Sequence, residues 1–278
     1  MRITASLLPE RPSKFDGLWL SVSKAKTFDD CQAKFKFAYI EKLPRKTWSF
    51  HTLGSFAHRV LELFQEARLK GEDMPDNDLM TLVFNEAAKE FKPDLKADQK
   101  KTVFDMALQY LQILDRQRKE GTGPKVIGVE RNFYINIGDE ILLNGMIDLE
   151  QIDQDGLLHL ADYKTTKSAR YLKKDFFQLL TYAYVKCVED PTIARVRCSY
   201  ILLRHGFDHL TKEFDRDEVM KIQDKLLDYA KKIKSEKLYR ANPTRLCEYC
   251  DFVSHCSEGR EFIGEKTSVA NYGAGSWG

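Results

Sequence analysis

At 278 residues the chain is long for one compact domain and short for three, and its 43% hydrophobic content, with 17 Phe and 12 Tyr, suffices for a sizeable core. A formal net charge of +2 gives no global sign of a nucleic-acid binder. No apolar run approaches membrane-spanning length, and the apolar run near the N-terminus is too short for a secretory signal, so no membrane partner and a cytoplasmic setting are expected.

Residues 1–20, rich in Pro and Ser, read as an irregular leader. Ser21-Val-Ser23 opens a predicted helix to about Leu43, with Phe28, Cys31, Phe35 and Tyr39 at helical spacing and Pro44 beyond its end. A second helix follows Thr52-Leu-Gly54 and carries Phe56, Val60, Leu61 and Phe64 inward; His58 and Glu62 share one of its faces. Two more helices are predicted at about 76–92 and 97–119, before the breaker Gly121-Thr-Gly-Pro124. Strands follow at about 125–137, 140–151 and 157–164, then a strongly apolar helix from Tyr171 to about Glu189. Strands at about 194–204 and 207–214 and a helix from Asp217 to about Lys237 complete the pattern. That order predicts an α/β or α+β fold with a central mixed sheet.

The chemistry concentrates at Gly145-Met-Ile-Asp148 and Asp162-Tyr-Lys164. Asp153-Gln-Asp-Gly156 is turn chemistry between two apolar strands, so a hairpin is expected. Strand alternation puts Asp162 and Lys164 on one side, and hairpin pairing brings Asp148 there too. Two carboxylates and an ammonium at a strand end suit a hard divalent cation and metal-assisted phosphodiester hydrolysis. Lys164, Lys167, Arg170, Lys173 and Lys174 follow with no acid among them. Lys225–Arg240 holds six basic residues against Asp228 and Glu236; it reads equally as a phosphate-tracking surface or a solvated helix face.

Six cysteines are present. Cys187 and Cys198 fall in apolar elements and read as buried thiols. Cys247, Cys250 and Cys256 form a C-x2-C-x5-C pattern in a polar segment, which points to a metal or cluster rather than core packing. Cys31 is the candidate fourth ligand. Zinc and a [4Fe–4S] cluster both accept four thiolates, with His255 a further possible zinc ligand.

Taken together, Ser21-Val-Ser23 with Cys31, Gly54-x3-His58-x3-Glu62, Gly145-x2-Asp148, Asp162-Tyr-Lys164, Gln178-x3-Tyr182 and the C-terminal cysteines resemble the PD-(D/E)XK nucleases of the RecB type. The resemblance is to their iron–sulfur branch, which includes CRISPR-associated adaptation exonucleases and the AddB nuclease domain. It runs from about Ser21 to Cys256. Gln32 and Ser257 stand where that branch often has Pro after its first and last cluster cysteines. The resemblance implies a restriction-endonuclease-like α/β core over residues 21–256, with a helical insertion at about 76–119 and a cluster segment at 245–256; beyond it, residues 257–278, Gly-rich at Asn271–Gly278, read as a flexible tail. It implies Mg2+ or Mn2+ held by His58, Asp148, Asp162 and the Tyr163 carbonyl, with Lys164 acting on the attacking water and the phosphate. Gln178 and Tyr182 would contact DNA or Lys164. Glu62 would support the His58 imidazole from behind, and Glu130 is a further contributor. A structural [4Fe–4S] cluster would sit on Cys31, Cys247, Cys250 and Cys256.

The expected activity is metal-dependent hydrolysis of DNA, as an exonuclease on single strands or ends. The alternative is a catalytically idle, metal-stapled DNA-binding or recombination accessory protein; intact Asp148, Asp162 and Lys164 argue against it. An iron–sulfur redox protein fits less well, since no flavin or nucleotide motif is evident. The sequence carries no helicase motif, so unwinding falls to a partner: a helicase, a recombination protein or a CRISPR component. The cytoplasm concerned is the organism's own or, for a phage-encoded protein, its host's.

Overall fold

The computed structural model describes residues 5–46, 49–91, 95–138, 140–168 and 175–272. In chain order the first elements are β1 (Ser6–Leu8), β2 (Leu18–Leu20), α1 (Val22–Asp30), α2 (Gln32–Phe35), α3 (Ser49–Leu69), α4 (Asp76–Glu90) and α5 (Ala97–Glu120). They are followed by β3 (Lys125–Gly138), β4 (Ile141–Ile152), β5 (Leu158–Lys164), α6 (Phe177–Glu189), β6 (Arg195–Leu202), β7 (Asp208–Asp215), α7 (Arg216–Met220), α8 (Ile222–Ser235) and α9 (Ser257–Tyr272). The chain divides into two units, Met1–Trp19 with Thr47–Lys225 and Leu20–Lys46 with Leu226–Gly278. No described helix is long and apolar enough to cross a membrane.

The first unit is built on a mixed sheet in the order β1-β3-β4-β5-β6-β7, with β2 also paired to β4. β3, β4 and β5 run antiparallel in succession, β5 and β6 are parallel, and β6 and β7 are antiparallel. A parallel step needs a crossover, and α6 lies within that connection. One face of the sheet offers Leu149, Ala161, Tyr163, Ile201 and Leu203 to the apolar stripes of α3, α4 and α5. On α3 the stripe is Leu53, Phe56, Ala57, Val60, Leu61 and Phe64, every one less than a tenth exposed. Its 3.6-residue period is why this segment is helical and why its position is fixed.

The second unit joins two distant segments. α1 begins where Ser21 Oγ accepts a hydrogen bond from Lys24 N at 3.2 Å. The single helix predicted to Leu43 is broken at Cys31, whose extended backbone (φ −166°, ψ 114°) separates α1 from α2 before a π-helical turn at Lys36–Ile40. The break frees the Cys31 sulfur, which accepts from Lys34 N at 3.5 Å and from Asn242 N at 3.4 Å. Asn242 Nδ2 donates to Asp30 O, and the Tyr239 ring stacks on Phe35.

Other differences from the sequence reading have local causes. The supposed irregular leader contains β1 and β2, because Ser6–Leu8 pairs with Tyr134–Asn136 and Leu18 N donates to Glu140 O. The supposed flexible tail begins with α9. The helix read from Asp217 is two helices, α7 and α8. The described helix after β5 starts at Phe177; Tyr171, Arg170, Lys173 and Lys174 lie outside the described residues. Cys187 and Cys198 are fully buried, as expected.

Candidate active site

β4 and β5 pair with Leu149 opposite Ala161 and Glu150 opposite Leu160. One residue further, that register sets Asp148 opposite Asp162. Asp148 is 7% exposed and Asp162 only 1%. Asp148 Oδ2 accepts a hydrogen bond from Tyr163 N at 3.3 Å. Burial and the neighbouring Asp162 charge hold the Asp148 carboxyl well above the usual carboxylate range, with His58 opposing them. Asp162 Oδ2 lies 2.5 Å from Lys164 Nζ, yet this buried oxygen has no partner of hydrogen-bond geometry among the described residues. Close-set buried carboxylates with an unsatisfied oxygen fit a divalent cation through the chemistry of the donor set.

α3 brings His58 to this strand end. The helix approaches closely at Gly54, where a Cβ would lie 3.1 Å from Thr165 Oγ1. His58 Nε2 is 2.9 Å from the Tyr163 carbonyl oxygen, and Nδ1 is 3.3 Å from Asp148 Oδ2 and 3.9 Å from Glu130 Oε1. Burial alone would lower the imidazole pKa. The neighbouring Glu130 carboxylate and the Asp148 and Asp162 charges outweigh it and raise the value to about 9. Among the described residues, His58, Glu130 and Asp148 are the one group of three such ligand atoms within 4.8 Å of one another.

Lys164, Gln178 and Tyr182 form a relay. Lys164 Nζ donates to Gln178 Oε1 at 3.1 Å, and Gln178 Nε2 donates to Tyr182 Oη at 2.8 Å. The helical spacing of Gln178 and Tyr182 on α6 makes this possible. Burial holds the Tyr182 phenol well above its ordinary pKa, so it stays neutral. The Phe133 ring packs edge-on against Tyr182 and covers Gly145, where a Cβ would come within 2.6 Å of the ring. Gly145 thus serves the site three residues before Asp148 by leaving space for Phe133.

Two expectations change. Glu62 does not hold the imidazole; its carboxylate is 2.8 Å from Arg59 Nη1. Glu130 takes that place, with a left-handed backbone (φ +46°) that is unfavourable for a residue with a Cβ. Sequence reading gave Arg204 no role, yet it lines the same cleft of about 840 Å³ with His58, Asp148, Asp162, Lys164 and Gln178. No motif marks it, because its place depends on the parallel pairing of β5 and β6.

In the second unit, Cys31, Cys247, Cys250 and Cys256 line one small cavity with Phe37 and Pro243, and none is in a disulfide. Backbone N–H groups of Asn242, Thr244 and Gly259 donate to the sulfurs of Cys31, Cys247 and Cys256 at 3.3–3.4 Å. Four thiols facing one cavity with N–H donors behind the sulfurs fit a thiolate-held metal or cluster. His255 is exposed, its ring against Phe37, and does not line the cavity.

The PD-(D/E)XK nuclease superfamily model matches residues 19–257. The chain belongs to the PD-(D/E)XK nuclease superfamily. Asp162-Tyr-Lys164, inside the matched residues, has the acidic-x-Lys form that the superfamily's name spells out. The chain is 29% identical over 163 residues to an ATP-dependent helicase/deoxyribonuclease subunit found in Streptococcus pyogenes serotype M12 (strain MGAS2096) and serotype M28 (strain MGAS6180). These alignments cover 54% of this chain and 14% of each relative, so the chain spans a small part of their length. A Eubacterium rectale crystal structure, described as a candidate exonuclease, superposes with a TM-score of 0.51 at 12% identity, covering 83% of this chain and 87% of that one. That likeness is one of fold.

Proposed function

We propose that this PD-(D/E)XK protein is an Mg2+- or Mn2+-dependent deoxyribonuclease, working as an exonuclease on single strands or ends. The observation that carries this reading is the cluster of carboxylates at one strand end: buried Asp148 and Asp162 and half-buried Glu130 within a cleft, with Asp162 Oδ2 unsatisfied among the described residues. His58, Asp148, Asp162 and the Tyr163 carbonyl would hold the cation, with Glu130 beside them. When bound, it supplies Lewis-acid stabilisation of charge developing on the phosphate. Lys164, fixed by Asp162 and Gln178, presents an ammonium to that same charge and orients the attacking water. Tyr182 fixes the Gln178 amide so that its carbonyl faces Lys164.

The relatives' description as helicase/deoxyribonuclease subunits supports DNA as substrate and a helicase as partner. A recombination or CRISPR protein would serve the same need. For the thiols we favour a structural [4Fe–4S] cluster, with zinc as the other occupant compatible with four sulfurs. The deciding experiment is anaerobic purification followed by cleavage of end-labelled single- and double-stranded DNA. Activity is expected in Mg2+ or Mn2+ and not in Ca2+ or chelator. Full activity in excess chelator would overturn the metal assignment, and colourless protein with stoichiometric zinc would replace the cluster with zinc.

A further inference from the structure

The cations lining the cleft are not equally free. Arg59 is held by Glu62 and Glu90, with Nε 3.0 Å from Glu90 Oε2. Lys164 is held by Asp162 and Gln178. His58 is committed to Asp148, Glu130 and the Tyr163 carbonyl. Lys167 is exposed on the cleft wall. Arg204 differs from all of these: it is partly buried, and its Nε is shut off from solvent with no hydrogen-bond partner among the described residues.

Its position follows from the fold. β6 runs parallel to β5 with Leu202 beside Lys164, so the turn Leu203–His205 continues from the strand end that carries the lysine. Gly206 and Phe207, both left-handed (φ +67° and +61°), reverse the chain, and Phe207 N closes the turn on Leu202 O at 3.1 Å. The backbone under Arg204 is therefore fixed. An unpaired, partly desolvated guanidinium is costly unless an anion completes it, and its planar fork suits a phosphate. A carboxylate-rich cleft repels a phosphate backbone, so a free cation is needed on the substrate path.

We infer that Arg204 is a substrate-positioning residue that grips one phosphate of the bound DNA strand beside the one being cleaved. This rests on the nuclease reading above. The phosphate is an internal diester or a terminal monoester; both offer the same non-bridging oxygens.

The test compares wild type, Arg204→Gln and Arg204→Lys for binding of a fluorescein-labelled single-stranded oligonucleotide in Ca2+ and for cleavage kinetics in Mg2+. Arg204→Gln should raise Kd and KM roughly 10- to 100-fold, as for loss of a charge-assisted contact, with kcat within about threefold. The slope of log affinity against log salt should fall by about 0.7, the value for one single-strand phosphate. Arg204→Lys should recover the salt slope but only part of the affinity. Oligonucleotides carrying one methylphosphonate at a time locate the contact. At the held phosphate, wild type should drop to the level of Arg204→Gln, which should itself be indifferent. The same pattern on removing a terminal phosphate identifies the monoester. Unchanged affinity and salt slope in Arg204→Gln, while wild type binds and cleaves, would overturn this assignment alone. Should Arg204→Gln not fold, the methylphosphonate scan on wild type and Arg204→Lys decides: no position at which the two proteins differ overturns it. Wild type that neither binds nor cleaves DNA overturns the nuclease reading together with it.

Discussion

The β4–β5 hairpin carries a polar cluster at each end, built from similar residues with opposite outcomes. At the turn end, His159 Nε2 lies 2.6 Å from Ser199 Oγ, and its Nδ1 lies 3.1 Å from Asp153 Oδ1 and 2.9 Å from Gln151 Nε2. Arg197 bridges Asp153, Asp155 and Glu213, and Ser199 is paired with Thr211. Each carboxylate there has a cation. At the other end, Asp148 and Glu130 share His58, and Asp162 Oδ2 lies beside Lys164 Nζ but without a hydrogen bond among the described residues. Composition does not separate the two ends; completeness of hydrogen bonding does. The turn end even sets serine, histidine and aspartate in line, but Ser199 has no exposed surface and cannot meet a substrate. A satisfied network stabilises, whereas an unsatisfied one waits for a ligand.

The largest expected effect comes from crossing the comparison. Asp162→Asn should reduce cleavage by roughly two to three orders of magnitude, as for loss of a principal electrostatic group. In metal-free buffer its thermal midpoint should be unchanged or higher, because a buried like charge is removed. Asp153→Asn should do the reverse, lowering the midpoint while cleavage persists. Equal melting losses in both variants would erase the distinction between the two ends.

Gly145→Ala should destabilise the first unit by ~1–3 kcal/mol, the cost of forcing a methyl into packed space. Because Phe133 contacts Tyr182, cleavage should fall with stability, as denaturant titration and rate measurements on the same preparation would show. Arg197→Ala should cost about 1–2 kcal/mol by removing the cation that Asp153, Asp155 and Glu213 share, with kcat unaffected. A loss of turnover beyond the unfolded fraction would count against a purely structural role for that end.

The smallest effect is one of pH. Burial lowers the His159 pKa below its ordinary 6.5, against the pull of Asp153, and burial lowers that of His209 too. The unfolded chain then binds more protons below about pH 6.5, so stability falls as pH falls through that region. The slope is at most about 1.4 kcal/mol per pH unit for each proton taken up. Melting curves at pH 7.5 and 5.5 should differ more for wild type than for His159→Gln.

Much of the architecture was legible because its signals are local. The α3 stripe has a helical period, the β4–β5 hairpin has turn chemistry between apolar strands, and Gln178 and Tyr182 are one helical turn apart. Contacts that depend on distant pairing were not legible. Arg204 reaches the cleft only because β6 joins β5 in parallel. Glu62 pairs instead with Arg59, a permanently charged guanidinium on its own helix, 2.8 Å away. β1 and β2 are only three residues long and pair with distant strands, so they leave little periodic signal. The break at Cys31 interrupts an otherwise continuous helical pattern that gives no warning of it.

The placement of the four cysteines has a consequence for the order of synthesis. Cys31 is translated before the long strands of the nuclease sheet, whereas Cys247, Cys250 and Cys256 follow its last strand, β7. The sheet strands and their carboxylates are therefore all translated while the thiol set is still incomplete. A nascent or broken chain ending before residue 247 would carry Asp148, Asp162 and Lys164 but only one of the four sulfurs. Filling the thiol site would then mark a chain translated through to Cys256 and would close a loop of roughly two hundred residues, whose entropic cost grows only slowly with length.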